Sequence, residues 1–140
     1  MGNDLKNLDQ QQDMSRDDSY FFKDNKYVRE LTASDFDETN PTHLKSGRCS
    51  AVLFYCAWCP YCRNVRDEWE KFGRMDLTRD VLAMNCEKEK EHLEKLRSAG
   101  VAQSFPTIVF YKNGIPRNTF HGERTKQNFL KESIKVCQDG

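Results

Sequence analysis

The chain has 140 residues and a mass of 16.4 kDa, enough for one domain with a tail and too little for a second core. Its 22 Lys and Arg balance its 22 Asp and Glu, so no net field favours nucleic acid or an acidic lipid surface. The longest apolar run, Ala51 to Cys59, is about half of the roughly 20 residues that a membrane helix needs, and a soluble cytoplasmic monomer is expected, bound to neither nucleic acid nor membrane.

Apolar residues make up only 37% of the chain and the mean hydropathy is -0.86, low for a packed domain. The N-terminus accounts for this: Met1 to Ser19 holds five Asp, three Gln and two Asn, and no aromatic residue. Residues 1–22 therefore read as a polar extension, disordered or a short helix through Leu5 and Leu8, because so little apolar surface does not offset the entropy of ordering. Residues 23–140 read as the folded domain. No charged stretch runs into an apolar one as in a secretory signal, and Lys6 stands where a myristoylation signal requires Ser or Thr.

Lys26 to Leu31 predicts an opening strand, and Thr32 to Asp35 offers caps for a short helix around Phe36 that ends before Pro41. After a polar connection over Lys45 to Cys49, the continuous apolar run Ala51 to Tyr55 predicts a central strand covered on both faces. Val65, Trp69 and Phe72 recur at helical spacing behind Cys62, which predicts an amphipathic helix from Cys59 to about Arg74. Val81 to Asn85 reads as a second apolar strand, and Glu87 to Ala99 as a helix stopped by Gly100. Thr107 to Tyr111 leads into Asn113-Gly114, a hairpin signal, with Asn118 to Phe120 returning. Leu130, Ile134 and Cys137 stripe a closing helix. The resulting order is β-α-β-α-β-α-β-β-α, an α/β domain whose last two strands form an antiparallel hairpin.

Six cysteines without a secretory signal speak for redox chemistry or metal binding rather than a disulfide framework. The central strand runs straight into Cys56-Ala57-Trp58-Cys59-Pro60-Tyr61-Cys62 and then into the amphipathic helix. Cys59 thus sits at a helix N-terminus, where unsatisfied N–H groups and the dipole favour a thiolate; it is the expected nucleophile. Cys62, one turn deeper, is the expected resolving thiol of a redox-active Cys59–Cys62 disulfide. Pro60 suits the first turn, which has no intrahelical use for its missing N–H. Cys56 extends the run to metal-ligand spacing with Cys59 and Cys62, but a strand end and a helix start are expected to aim it away from the other two sulfurs. Neither metal nor cofactor is expected.

These residues carry a resemblance to the thioredoxin superfamily over roughly Lys26 to Cys137. Leu31-Thr32-Ala33-Ser34-Asp35-Phe36 resembles its first strand junction, Phe54 to Cys59 its active-site strand with the Trp, and Phe105-Pro106-Thr107 with Ile108 to Gly114 its cis-proline loop and hairpin; Gly122 fits its final loop. The resemblance implies a thioredoxin-like fold with a central mixed sheet flanked by helices, and a thiol-disulfide oxidoreductase acting on protein disulfides or dithiols. It further implies a cis Pro106 beside the cysteines, with the Phe105 backbone pairing to an extended substrate segment, and a docking surface of Trp58, Pro60, Tyr61, Phe105, Pro106 and Thr107. A separate electron donor or acceptor would complete the cycle. The chain departs from the family where Leu53 occupies the place of the buried acid beneath the resolving cysteine, and Ala83 that of its lysine. The Pro60-Tyr61 spacer is that of dithiol glutaredoxins, yet their Gly-Gly glutathione site is missing, which favours protein substrates. A reduction potential of about -190 to -240 mV is expected.

A redox-inert interaction module on the same fold is the contrasting reading, as is a metal or iron-sulfur protein using Cys56, Cys59 and Cys62. Cys137 is expected in the core, Cys49 and Cys86 as free thiols, and His43, His92 and His121 at the surface. The charge run Glu87 to Glu94 reads as the exposed side of a helix.

Overall fold

A computed structural model describes residues 19–75 and 78–138. The expectations for residues 1–18 lie outside the described residues. The strands are β1 (Arg29–Glu30), β2 (Ser50–Tyr55), β3 (Asp80–Asn85), β4 (Thr107–Lys112) and β5 (Ile115–Thr119). The helices are α1 (Pro60–Met75), α2 (Lys90–Ser98) and α3 (Lys126–Gln138), with a 3-10 turn at Ala33–Asp35 where a short helix was expected. The strands form one mixed sheet in the order β1-β3-β2-β4-β5, parallel through β2 and antiparallel from β4 onward. Among the described residues no helix is long and apolar enough to cross a membrane.

Every residue of β2 is buried, as its unbroken apolar run requires of a strand sandwiched between layers. On one face α1 lays Cys62, Val65, Trp69 and Phe72 into the core, and the Trp69 indole donates to the Leu82 carbonyl at 3.0 Å. Phe72 and Phe129 stand 5.2 and 5.0 Å from the Trp69 ring, tying α1 to α3. Truncating so buried an indole would cost about 3–5 kcal/mol. Gly73 permits the close approach of α1 to the N-terminal turn, since a Cβ there would lie 2.7 Å from the Tyr27 carbonyl oxygen.

Several expectations are corrected, each for a local reason. Packing begins before residue 23, because Phe21 and Phe22 are core residues, Phe21 being stacked 4.2 Å from the Tyr55 ring. The opening strand shrinks to Arg29–Glu30 because Asn25 Oδ1 accepts the N–H groups of Tyr27 and Val28 and folds that stretch into a turn. Asn113 and Gly114 both take positive φ, 57° and 79°, the geometry of a tight hairpin, so β5 starts at Ile115 directly after the turn. The buried stripe of α3 is Phe129, Ser133 and Val136, one residue off the expected Leu130, Ile134 and Cys137, which are half-buried. His92 is not a surface residue: it is buried against Phe36, 4.1 Å between ring centres, and its Nε2 meets the Pro41 carbonyl at 2.9 Å.

Cys49 and Cys137 are neither free nor core. They form a disulfide with Cα atoms 6.0 Å apart, joining the residue before β2 to the end of α3 across 88 positions of sequence.

Candidate active site

The cysteine run lies where β2 ends and α1 begins, at the C-terminal edge of the parallel strands. The Cys59 N–H bonds the Cys56 carbonyl at 3.2 Å, closing a turn, and the Cys59 carbonyl accepts both Cys62 N–H and Arg63 N–H at 3.1 Å to start the helix. Pro60 is the first residue of α1, as its missing N–H allows. A second tether holds the turn: the Ala57 N–H donates to Glu87 Oε1 at 3.1 Å. Glu87 precedes α2 rather than decorating its exposed side, because Asn85 Oδ1 accepts the Glu87 and Lys88 N–H groups and turns the chain there.

The two thiols of the pair occupy opposite environments. Cys59 is 7% exposed, and Cys62 is fully buried beneath it. Burial pushes the Cys59 thiol up, but the backbone N–H groups of Cys62 and Tyr61, the Cys62 thiol and the Arg124 charge outweigh it, so its pKa falls below the ordinary value. Burial dominates at Cys62 and, with the neighbouring sulfurs, pushes its thiol up to about 12. The Cys59 thiol also points at the Phe105 carbonyl, 3.9 Å away, and the Phe105–Pro106 peptide is cis.

Around Cys59 the expected docking residues divide. Trp58 and Tyr61 stand out from the surface, 61% and 65% exposed, and Pro60 is exposed between them. Phe105 is half-buried, with its carbonyl at the sulfur. Pro106 is buried below it, and Thr107 turns inward, its hydroxyl donating to the Ser104 carbonyl while its backbone pairs with Phe54. Thr107 is thus a residue of the sheet and not of the rim.

Cys56 and Cys86 are the other two free thiols. Both are buried at the ends of neighbouring parallel strands, where the Cys86 N–H bonds the Tyr55 carbonyl at 2.9 Å. Cys56 is not remote from the pair, since its backbone N–H serves the Cys62 sulfur and its charge couples to Cys59; burial first, then Glu87, pushes its thiol up to about 11. Among the described residues no three His, Cys, Asp or Glu side chains are arranged to hold a metal ion.

Arginines near the site escaped the motif reading. Arg97 of α2 lies over the Phe105 ring, its Cζ 5.6 Å from the centroid, and Arg63 of α1 donates from Nε to the Ala57 carbonyl at 3.2 Å. With Arg124 they come from three separate segments, so no local pattern announces them. Another feature lies under the site. The Tyr55 hydroxyl donates to Glu30 Oε2 at 2.5 Å, and the same oxygen accepts the Phe22 N–H at 3.0 Å.

The sequence and the fold are similar to those of known proteins. A family model described as Thioredoxin matches residues 27–135. The protein disulfide-isomerase of Gallus gallus is 29% identical over 119 residues, covering 84% of this chain and 22% of that one. The thioredoxin-related transmembrane protein 1 of Homo sapiens is 32% identical over 81 residues, covering 56% of this chain and 27% of that one. Uncharacterized protein 020R of Invertebrate iridescent virus 3 is 30% identical over 100 residues, covering 70% of this chain and 61% of that one. Among solved structures, the J-Trx1 fragment of ERdj5 superposes with a TM-score of 0.70 at 21% identity, covering 85% of this chain and 56% of that one, a likeness of fold. The chain spans between 17% and 61% of the length of these and similar curated relatives. With the family model running from the turn before β1 into the last turn of α3, across the cysteine pair and the cis-proline loop, the chain belongs to the thioredoxin family.

Proposed function

We propose that the chain is a thiol-disulfide oxidoreductase acting on protein disulfides and dithiols, with Cys59 as nucleophile and Cys62 as resolving thiol. The observation that carries this is the placement of two free thiols one helical turn apart at the start of α1, the first facing the Phe105 carbonyl of the cis-proline loop; the first thiol is lowered and the second is pushed up to about 12. Such a pair has one sulfur ready to attack and one held in reserve.

In the reducing direction the Cys59 thiolate attacks one sulfur of a substrate disulfide. A mixed disulfide forms and the first substrate thiolate leaves. Cys62 then gives up its proton and attacks the Cys59 sulfur, releasing the second substrate thiolate and leaving a Cys59–Cys62 disulfide; two electrons have passed to the substrate. Running backwards, the same steps oxidise a dithiol. A separate dithiol donor or disulfide acceptor resets the pair, and no cofactor takes part. Trp58, Pro60, Tyr61 and Phe105 supply the surface on which an extended substrate segment lies, above the buried Pro106. The working unit is a monomer with no contact to nucleic acid or membrane. The Cys49–Cys137 disulfide supports an oxidising compartment over the cytoplasm expected from sequence, because reducing cytosol keeps such pairs open.

Reduction of insulin by dithiothreitol, followed with wild type, Cys59→Ser and Cys62→Ser, tests the reading. Cys59→Ser is expected to be inactive, and Cys62→Ser to accumulate the mixed disulfide. Full activity in Cys59→Ser would overturn it. Equilibration with glutathione buffers should give a potential of about -190 to -240 mV.

A further inference from the structure

The rim around Cys59 is aromatic and cationic together. Arg97 lies over the Phe105 ring, whose residue offers its carbonyl to the Cys59 thiol. Arg63 is fixed beside Trp58 by its bond to the Ala57 carbonyl. Arg124, exposed in the loop before α3, is close enough for its charge to act on the Cys59 sulfur. Guanidinium groups of α1 and α2 thus flank the cysteine turn and the Phe105 side of the site, and a third acts on the sulfur from the loop before α3.

Carboxylates lie near as well, but among the described residues only Glu94 forms an ion pair with one of these arginines. Glu87 is turned to the Ala57 N–H. Glu94 faces Arg97 at 4.0 Å across an exposed pair whose side chains are 44% and 67% exposed, which leaves Arg97 hydrated and able to exchange partners. A guanidinium spread over an aromatic ring keeps its N–H edges free for a carboxylate while its face is occupied. The chain as a whole carries no net charge, so this concentration is local and not the reflection of a basic protein.

Resting on the reading of Cys59 as nucleophile, we propose that this rim selects substrates whose reacting cysteine is flanked by Asp or Glu. Trp58 and Tyr61 hold the apolar side of the segment, while Arg63, Arg97 and Arg124 engage its carboxylates. Positive charge about the sulfur speeds encounter with such segments and steadies the mixed disulfide, and it disfavours lysine-flanked ones.

The test uses two peptides, each with one internal disulfide, identical except that Asp or Lys flanks the reacting cysteine. Protein reduced with dithiothreitol and freed of it is mixed with each, and the second-order rate of peptide reduction is read as a ratio. The folded fraction cancels in that ratio, so a destabilised variant still reports. At low salt the Asp peptide should react about tenfold faster, the preference shrinking in 0.5 M salt. The double variant Arg97→Glu, Arg124→Glu should abolish or invert the ratio. Arg117→Glu on β5, lined with the distant end of α3, should leave the ratio alone. Equal rates for the two peptides with wild type would overturn the selectivity while the proposed activity stands. Reduction of neither peptide would overturn both.

Discussion

The Tyr55 hydroxyl donates to Glu30 Oε2 at 2.5 Å, which joins the last residue of the active-site strand to the edge of the sheet. The same hydroxyl accepts the Phe21 N–H at 2.9 Å, and Arg66 covers the Phe21 ring at 5.0 Å, so the N-terminal turn, β1, β2 and α1 meet at one phenol. Tyr55→Phe keeps the ring and removes both hydrogen bonds of the hydroxyl. It should cost about 1–3 kcal/mol in urea unfolding, since the Phe21 N–H is left without its acceptor and Glu30 Oε2 keeps only the Phe22 N–H.

Glu30 itself sets a pH dependence. Burial raises its carboxyl above the usual range, against bonds from Tyr55 and Phe22 and the Arg66 charge that lower it, and its Oε1 has no partner among the described residues. A carboxyl raised in the folded state adds stability that is complete below its unfolded pKa and is lost as pH rises through the folded one. Wild type should therefore lose stability relative to Glu30→Gln as the pH climbs from 4.5 towards neutrality. Urea midpoints of the two proteins between about pH 4 and 8 check this, and a difference independent of pH would contradict it.

Cys59 should alkylate like a thiol of lowered pKa. Because only the thiolate reacts, the rate of iodoacetamide labelling should reach half its plateau at a pH below that of an ordinary thiol, with Cys62 unlabelled across the same range. Replacing Arg124 by Gln removes one of the groups that stabilise the anion and should move the Cys59 midpoint upward. Peptide mass mapping of the labelled, reduced protein assigns the signal to each cysteine.

What was legible in sequence was what local pattern encodes. The apolar run of β2 and the Val65-Trp69-Phe72 stripe of α1 each carry their meaning within a few residues and lie where that meaning puts them, and the paired cysteines fall at the junction of the two elements. Lost were relationships that only the fold creates. Leu53 stands where the family has a buried acid, and nothing local says that a carboxyl from β1, Glu30, is instead bonded to Tyr55 two residues on. His92 looks solvated beside Glu91, but the loop after Phe36 folds over it. The buried stripe of α3 is offset by one residue from its apolar pattern because Leu130 and Ile134 are as apolar as Phe129, which faces Trp69, and Ser133, which is buried, is not apolar at all.

The Cys49–Cys137 bond is the largest of these long-range effects. Closing 88 positions of chain removes entropy from the unfolded state, and natural disulfides of this kind contribute about 2–4 kcal/mol. Cys49→Ser should lower the unfolding free energy by that amount, while Cys59 keeps its alkylation midpoint, because the bond lies at the opposite end of β2. Peptide mapping without reductant should recover Cys49 and Cys137 as one cross-linked fragment.

Glu87 should act as a positioning residue for the cysteine turn. Its carboxylate accepts the Ala57 N–H at 3.1 Å, fixing the residue between Cys56 and Trp58, and its charge helps to hold the Cys56 thiol protonated. The two effects separate by substitution. Glu87→Gln retains an oxygen for the Ala57 N–H and discards the charge, so turnover should fall less than about threefold while the Cys56 thiol pKa drops. Glu87→Ala loses the tether as well, and roughly tenfold in kcat should follow from a loosened Trp58 and Cys59, with little change in unfolding free energy. Equal losses in the two variants would assign the role to charge, and no loss in either would remove Glu87 from the machinery of the site.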